Sequence, residues 1–275
     1  MEINRTRGKI RNVTIILGTV ALTSLLIARV THNGTLTPMR LALPFISLMV
    51  YFGASVAARR LDSRVEQDRT SALAQMASTL GFLGFSFRPD DPVLSQSLAE
   101  LPFAKQFTPY GGWGWGGFRL LNFLQGLKEG KDVVVFDFEW GKSARVPWSW
   151  NRIMRYQWTQ TVVAFRLQED RLPTFDLQPK SRLPLFNPGD LRFASHPGFS
   201  ALYVLRGPDE QAIRALFQPH VLDAFSVPGP QAWVVQGQGE WLIAYRQKVA
   251  MLPTTDAFRD LLDEVYGVFA VFGKN

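Results

Sequence analysis

The chain has 275 residues, 47% of them hydrophobic and 19% charged, with no cysteine and a formal charge of +7. That is enough chain for one or two domains with a real core, and it excludes a disordered polymer, disulfides, thiolate nucleophiles and Cys-ligated zinc. Residues 1–80 hold ten Lys/Arg against four Asp/Glu and residues 81–275 hold twenty against nineteen, so the basic excess is N-terminal and a nucleic-acid-binding domain with its own positive face is excluded.

Two apolar runs come first, Asn12–Ala28 and Leu41–Ala58. Seventeen uncharged residues separate Arg11 from Arg29, and eighteen separate Arg40 from Arg59. As helices they would be roughly 25 and 27 Å long, near the thickness of a bilayer core. The pattern predicts a transmembrane helical hairpin. Its segments are a basic cytoplasmic tail at 1–11, a first span at 12–30, an external loop at 31–40 and a second span at 41–58. A helical stalk at 59–81 and a cytosolic domain at 82–275 follow. Arg5, Arg7, Lys9 and Arg11 precede the first run, and Arg59, Arg60, Arg64 and Arg69 follow the second. The positive-inside rule then places both termini in the cytoplasm of a multi-pass inner-membrane protein. Gly53 and Ala57, four residues apart, would let helices approach closely, either within the hairpin or in a homo-oligomer.

Beyond Arg59 the sequence continues as a helix to Gly81, with Leu73, Met76, Ala77 and Leu80 on one face. A turn at Arg88–Pro92 and a short helix over Val93–Leu101 follow. The run Gly111–Gly117 contains Trp113 and Trp115 but not the glycine spacing and following helix of a nucleotide loop, and reads as a loop. Strands are expected at Phe118–Leu124 and Asp132–Glu139, the second dense in β-branched and aromatic residues. Asp137, set within it, is expected to point to the solvated side of the sheet.

Gly141–Gln160 reads as a long loop with an unusual composition. It carries Lys142, Arg145, Arg152 and Arg155 and no acid, interleaved with Trp148, Trp150, Tyr156 and Trp158. Held near an inner leaflet, those eight residues would suit anionic lipid or an acidic partner. The plainer reading is a long hairpin connection whose arginines stack on tryptophans.

Thr159–Leu167 reads as the return strand, and Leu172–Pro179 as a short strand that its prolines confine to a sheet edge. Lys180–Gly198 reads as loop and Phe199–Arg206 as strand. Gly207–Glu210 opens a helix with Pro208 and acids in its first turn, and one more helical turn is expected at His220–Phe225. Gly237-Gln238-Gly239 marks a hairpin between Ala232–Gln236 and Glu240–Arg246. The last element, Thr255–Phe272, repeats Phe258, Leu261, Leu262, Val265, Val268, Phe269 and Phe272 at helical spacing, a core-facing stripe. The fold class expected is α+β: the hairpin followed by a mostly antiparallel β domain with two or three packed helices.

The phrases Val135-Phe136-Asp137-Phe138, Thr161-Val162-Val163-Ala164-Phe165, Leu172-Pro173-Thr174-Phe175-Asp176-Leu177-Gln178-Pro179 and Trp241-Leu242-Ile243-Ala244-Tyr245-Arg246 occur in that order. Together they resemble an uncharacterised family of bacterial membrane proteins with an N-terminal two-helix hairpin and a cytosolic α+β domain. The resemblance covers most of residues 70–270. It implies the architecture and supplies no catalytic residues; the 141–158 stretch departs from its pattern.

The function expected is therefore a membrane-anchored cytosolic module with an interaction or regulatory role at the inner membrane surface. Its partners would be the lipid bilayer, a protein or a second copy, and not nucleic acid. The alternative is a membrane-bound enzyme or a small-ligand sensor. No nucleophile elbow, HExxH or P-loop supports an enzyme. His32, His196 and His220 lie far apart in sequence, and no catalytic, cofactor or metal residue is assigned.

Overall fold

The computed structural model describes residues 38–81, 84–105, 116–145, 153–167, 171–180, 189–226 and 233–273. By its internal contacts the chain divides into two compact units, Met1–Ser71 and Ala72–Asn275.

In the first unit the described element is α1 (Pro38–Leu80), a helix of 43 residues that runs on past Ser71. Pro38 is the first residue of this helix, where a missing N–H costs little, whereas Pro44 lies at its seventh position, inside the helix. This helix corrects the membrane reading. Asn12–Ala28 lies outside the described residues. Leu41–Ala58 is helical, but Pro44, Ser47, Tyr51, Gly53 and Ser55 interrupt its apolar character. From Arg59 onward the same helix carries charges of both signs. Among the described residues no helix is long and apolar enough to cross a membrane. The transmembrane assignment and the multi-pass inner-membrane location are not supported.

The second unit is built on one eight-stranded sheet in which every pairing is antiparallel. Its strands are β1 (Ser86–Arg88), β2 (Gly116–Lys128), β3 (Lys131–Arg145), β4 (Ile153–Arg166), β5 (Leu172–Pro179), β6 (Tyr203–Arg206), β7 (Val234–Gly239) and β8 (Trp241–Tyr245). Their order across the sheet is β1-β2-β3-β4-β8-β7-β5-β6. The α+β expectation holds in this form.

The helices cover both faces. Period-two alternation along β3 sends Val133 and Val135 to one face and Val134, Phe136 and Phe138 to the other, and all five are buried. Over the first face lie the last turns of α1, through Leu73, Met76, Ala77 and Leu80, and the final helix α7 (Thr255–Phe272), through Phe258, Leu262, Val265, Phe269 and Phe272. Three short helices complete that side: α4 (Pro197–Leu202), α5 (Glu210–Leu216) and α6 (Pro219–Ser226). Over the second face lie α2 (Pro92–Ala99) and α3 (Pro102–Lys105), with Leu98, Leu101, Phe103 and Ala104. Phe103 anchors that side, its ring 5.1 Å from Phe138 and 6.0 Å from Phe136.

Local signals start several of these helices. Asp91 caps α2, accepting from the Leu94 N–H at 3.0 Å, and Pro92 occupies the first helical position. Asp209 caps α5 and Thr254 caps α7 in the same way.

Three expectations are revised. β5 is interior, between β7 and β6; Pro173 fits because the β5–β7 register breaks between Leu172 and Phe175, so its missing N–H falls at an irregularity. Of the strand expected at Phe199–Arg206, Tyr203–Arg206 is strand, while Phe199–Leu202 belongs to the helix Pro197–Leu202, with Phe199 fully buried. Gly141–Gln160 is largely strand: β3 extends to Arg145 and β4 begins at Ile153.

Candidate functional site

β3 and β4 form the longest pairing of the sheet, fourteen registered positions from Asp132↔Arg166 to Arg145↔Ile153. Among the described residues the strands beside them cover less of this length. β2 accompanies β3 only to Gly116↔Lys142, and β8 accompanies β4 only over Val162–Arg166. The far part of the pair is therefore a two-stranded ribbon among the described residues.

The structure brings several of the sequence-selected residues onto this ribbon. Lys142 stands opposite Tyr156, Arg155 opposite Ser143, and Arg145 opposite Ile153. Trp158 stands opposite Trp140, and their rings stack at 4.5 Å with 28° between planes. The Lys248 ammonium, from the segment after β8, lies 5.3 Å from the Trp158 ring centre, within reach of a cation–π attraction. Trp148, Trp150 and Arg152 lie outside the described residues. The cation placed over Trp158 here is a lysine from elsewhere in the chain.

At the root of the ribbon lies a polar stripe that the sequence reading missed. Asp137 is 3% exposed and Glu139 4%, on the sheet face shared with Val133 and Val135. Asp137 had been expected in solvent. It is buried because helices cover both faces of the sheet where β3 runs from Val133 to Glu139. Its carboxylate accepts from Asn122 Nδ2 at 2.9 Å and from the Thr161 hydroxyl at 3.1 Å. The Thr161 oxygen in turn accepts from the Met251 N–H at 2.9 Å. Two registered positions further out, Glu139 accepts from Thr159 at 3.3 Å and is ion-paired with Arg119.

Asn122 reaches Asp137 because the backbone places it there. The β2–β3 register shifts between Leu121 and Leu124, with two β2 residues opposing Phe136. Asn122 sits in this bulge at φ 59°, a left-handed conformation that asparagine tolerates better than most residues. Its N–H donates to Pro89 O at 2.9 Å. Its buried Oδ1 has no hydrogen-bond partner. The signal available in the sequence was the matched spacing of Asp137 and Glu139 on one strand and Thr159 and Thr161 on the next. Acceptors and hydroxyls two apart on adjacent antiparallel strands share a face.

A second polar group lies across β5, β6 and β7. Asp176 accepts from Gln236 Nε2 and from Gln178 Nε2, both at 2.7 Å. Burial pushes its carboxyl above the usual range, against the pull of these hydrogen bonds and of Arg206. Arg206 is itself paired with Asp190 at 2.6 Å.

One arrangement has the elements of a catalytic chain. Ser195 Oγ lies 2.9 Å from His196 Nδ1, and His196 Nε2 lies 3.3 Å from Asp223 Oδ1. The Asp223 side chain is 72% exposed, and the hydroxyl belongs to the residue next to the histidine. A carboxylate in water polarises an imidazole weakly, so the chain reads as a tie between the α4 entry and α6. Among the described residues no group of three or more His, Asp or Glu is placed to hold a metal ion.

Comparison with known proteins adds little to this geometry. No family model matches the chain, and no curated protein matches it. Among solved structures it is similar to the mycobacterial trehalose monomycolate transport factor A, TtfA. The TM-score is 0.42 and the identity 12%, over 70% of this chain and 94% of that one. A likeness at that level carries no functional argument.

Proposed function

We propose that the Ala72–Asn275 unit is a protein-interaction module that takes an acidic partner through the β3–β4 ribbon. The observation that carries this reading is the ribbon itself. The stretch from Gly141 to Gln160 holds Lys142, Arg145, Arg152 and Arg155 and no acid, and its described part extends past the strands that flank it. The rest of the unit holds sixteen Lys/Arg against nineteen Asp/Glu, so this stretch stands out as its basic segment and would steer an acidic partner to it. The Trp140–Trp158 stack adds aromatic area of the kind that anchors interfaces.

The test is fluorescence anisotropy of the full chain with a labelled ten-residue peptide of alternating Glu and Val. Saturable binding that weakens as salt rises is expected. The Arg145→Glu, Arg155→Glu double variant should bind about tenfold or more weakly, since reversing charges turns two attractions into repulsions. Affinity unchanged in that variant would sink the reading.

A further inference from the structure

We infer that the partner segment adds to the sheet as a further strand along the open side of β4, at Ile153–Gln157; this rests on the reading just given. β4 is paired on its β3 side over its whole length, while β8 pairs its other side only from Val162 onward. After β8 the chain does not follow β4 outward. It turns at Lys248, which takes φ 60°. Lys248 N–H donates to Gln160 Oε1 at 3.1 Å, and Thr161 N–H donates to Val249 O at 2.9 Å. The second bond closes the main-chain edge of β4 at Thr161, and the first ties the turn to the Gln160 side chain. Among the described residues no strand pairs with Ile153–Gln157 on that side.

A strand of five residues spans about 17 Å, close to the common length of a β-strand, and its outward N–H and C=O groups form a template for main-chain pairing. The occupant is set by charge. A second copy pairing antiparallel about the middle of the segment would place Arg155 directly against its own symmetry mate, and like charges opposite one another disfavour a ladder. An acidic strand laid in the same place would set a carboxylate opposite Arg155. The segment is therefore blunted against itself while open to an acidic chain.

The experiment uses the full chain and the alternating Glu/Val peptide in two forms, the parent and one methylated on every backbone nitrogen. Methylation keeps every charge and removes every main-chain donor. Strand addition predicts that the methylated peptide binds at least about tenfold more weakly. It also predicts that the parent, at ten times its Kd, slows amide exchange in Ile153–Gln157 about tenfold, following the factor 1 + [L]/Kd. Equal binding of the two peptides, or unchanged exchange with the parent bound, overturns strand addition while leaving the charged contact intact. If the parent fails to bind, the underlying reading falls and this inference with it. Exchange slowed by raising protein concentration alone, without peptide, would identify a second copy as the occupant and overturn the acidic one.

Discussion

Asp176 shows how one buried carboxylate makes stability depend on pH. Burial is the largest influence on it and raises its pKa above the ordinary 3.8. Just above pH 3.8 the native state holds a proton that the unfolded chain has released. Unfolding free energy therefore falls as pH rises through that window, and the ionised Asp176 is a penalty at neutral pH. Asp176→Asn removes the titration; the introduced oxygen still accepts from Gln178, and once the Gln236 amide turns over, the introduced amide donates to Gln236 Oε1, which is buried and without a partner in the wild type. Urea unfolding at several pH values should show the wild type losing stability relative to this variant from about pH 4 upward, with the variant at least as stable at pH 7. A difference between the two that is flat in pH would refute the assignment. The burial behind this behaviour was not readable in sequence. Alternation marks which residues share a face of a strand, but what covers that face is set by segments far away, and Asp137 was misplaced for the same reason.

At the scale of elements, the junction where β6 hands over to α5 is tight. A Cβ on Gly207 would stand 2.3 Å from the Thr174 carbonyl oxygen and 2.4 Å from Ile213 Cδ1. The first is backbone of the neighbouring β5 and cannot swing aside. Gly207→Ala is expected to cost about 1–3 kcal/mol of unfolding free energy by forced backbone shifts, measured by thermal or urea denaturation; a neutral result would mean the junction is looser than described. Elements whose signals are local were legible. The stripe from Phe258 to Phe272 gave α7 its limits, and Gly237-Gln238-Gly239 gave the β7–β8 hairpin. Elements decided by tertiary contact were not. Phe199-Ser-Ala-Leu-Tyr-Val has strand-like composition, yet Pro197–Leu202 winds into a helix that buries Phe199. The ribbon was not legible because the pairing of Ser143–Arg145 with Ile153–Arg155 is a contact between strands that composition alone does not mark.

For the molecule as a whole, the limits of the folded unit are open to measurement. A domain beginning at Phe82 would omit Leu73, Met76, Ala77 and Leu80, all buried in the core of the Ala72–Asn275 unit. The three larger side chains contribute about 1.5–3 kcal/mol each, a large part of the roughly 5–15 kcal/mol by which a domain is stable. A chain trimmed to start at Ala72 should unfold cooperatively, whereas one starting at Phe82 should be severely destabilised or fail to fold, as judged by circular dichroism melts. Equal stability of the two would show that the end of α1 is dispensable. The site was less legible than the fold. The sequence marked the cations and aromatics of the ribbon, but that β8 pairs β4 only over Val162–Arg166 and that the chain after it turns at Lys248 are facts of pairing that no local pattern carries.

The buried stripe on β3 also bears on how the sheet assembles. Along Val133–Glu139 both faces are apolar enough that hydrophobicity alone would accept either setting of the strand. A slip by one residue would exchange the two faces and drive Asp137 and Glu139 in among Phe103, Phe123 and their neighbours, leaving Thr159, Thr161 and Asn122 without their acceptors. Two carboxylates in an aromatic cluster are too costly to persist. The acids thus act as a proofreading mark for the sheet, rejecting misaligned pairings that the surrounding valines and phenylalanines would tolerate.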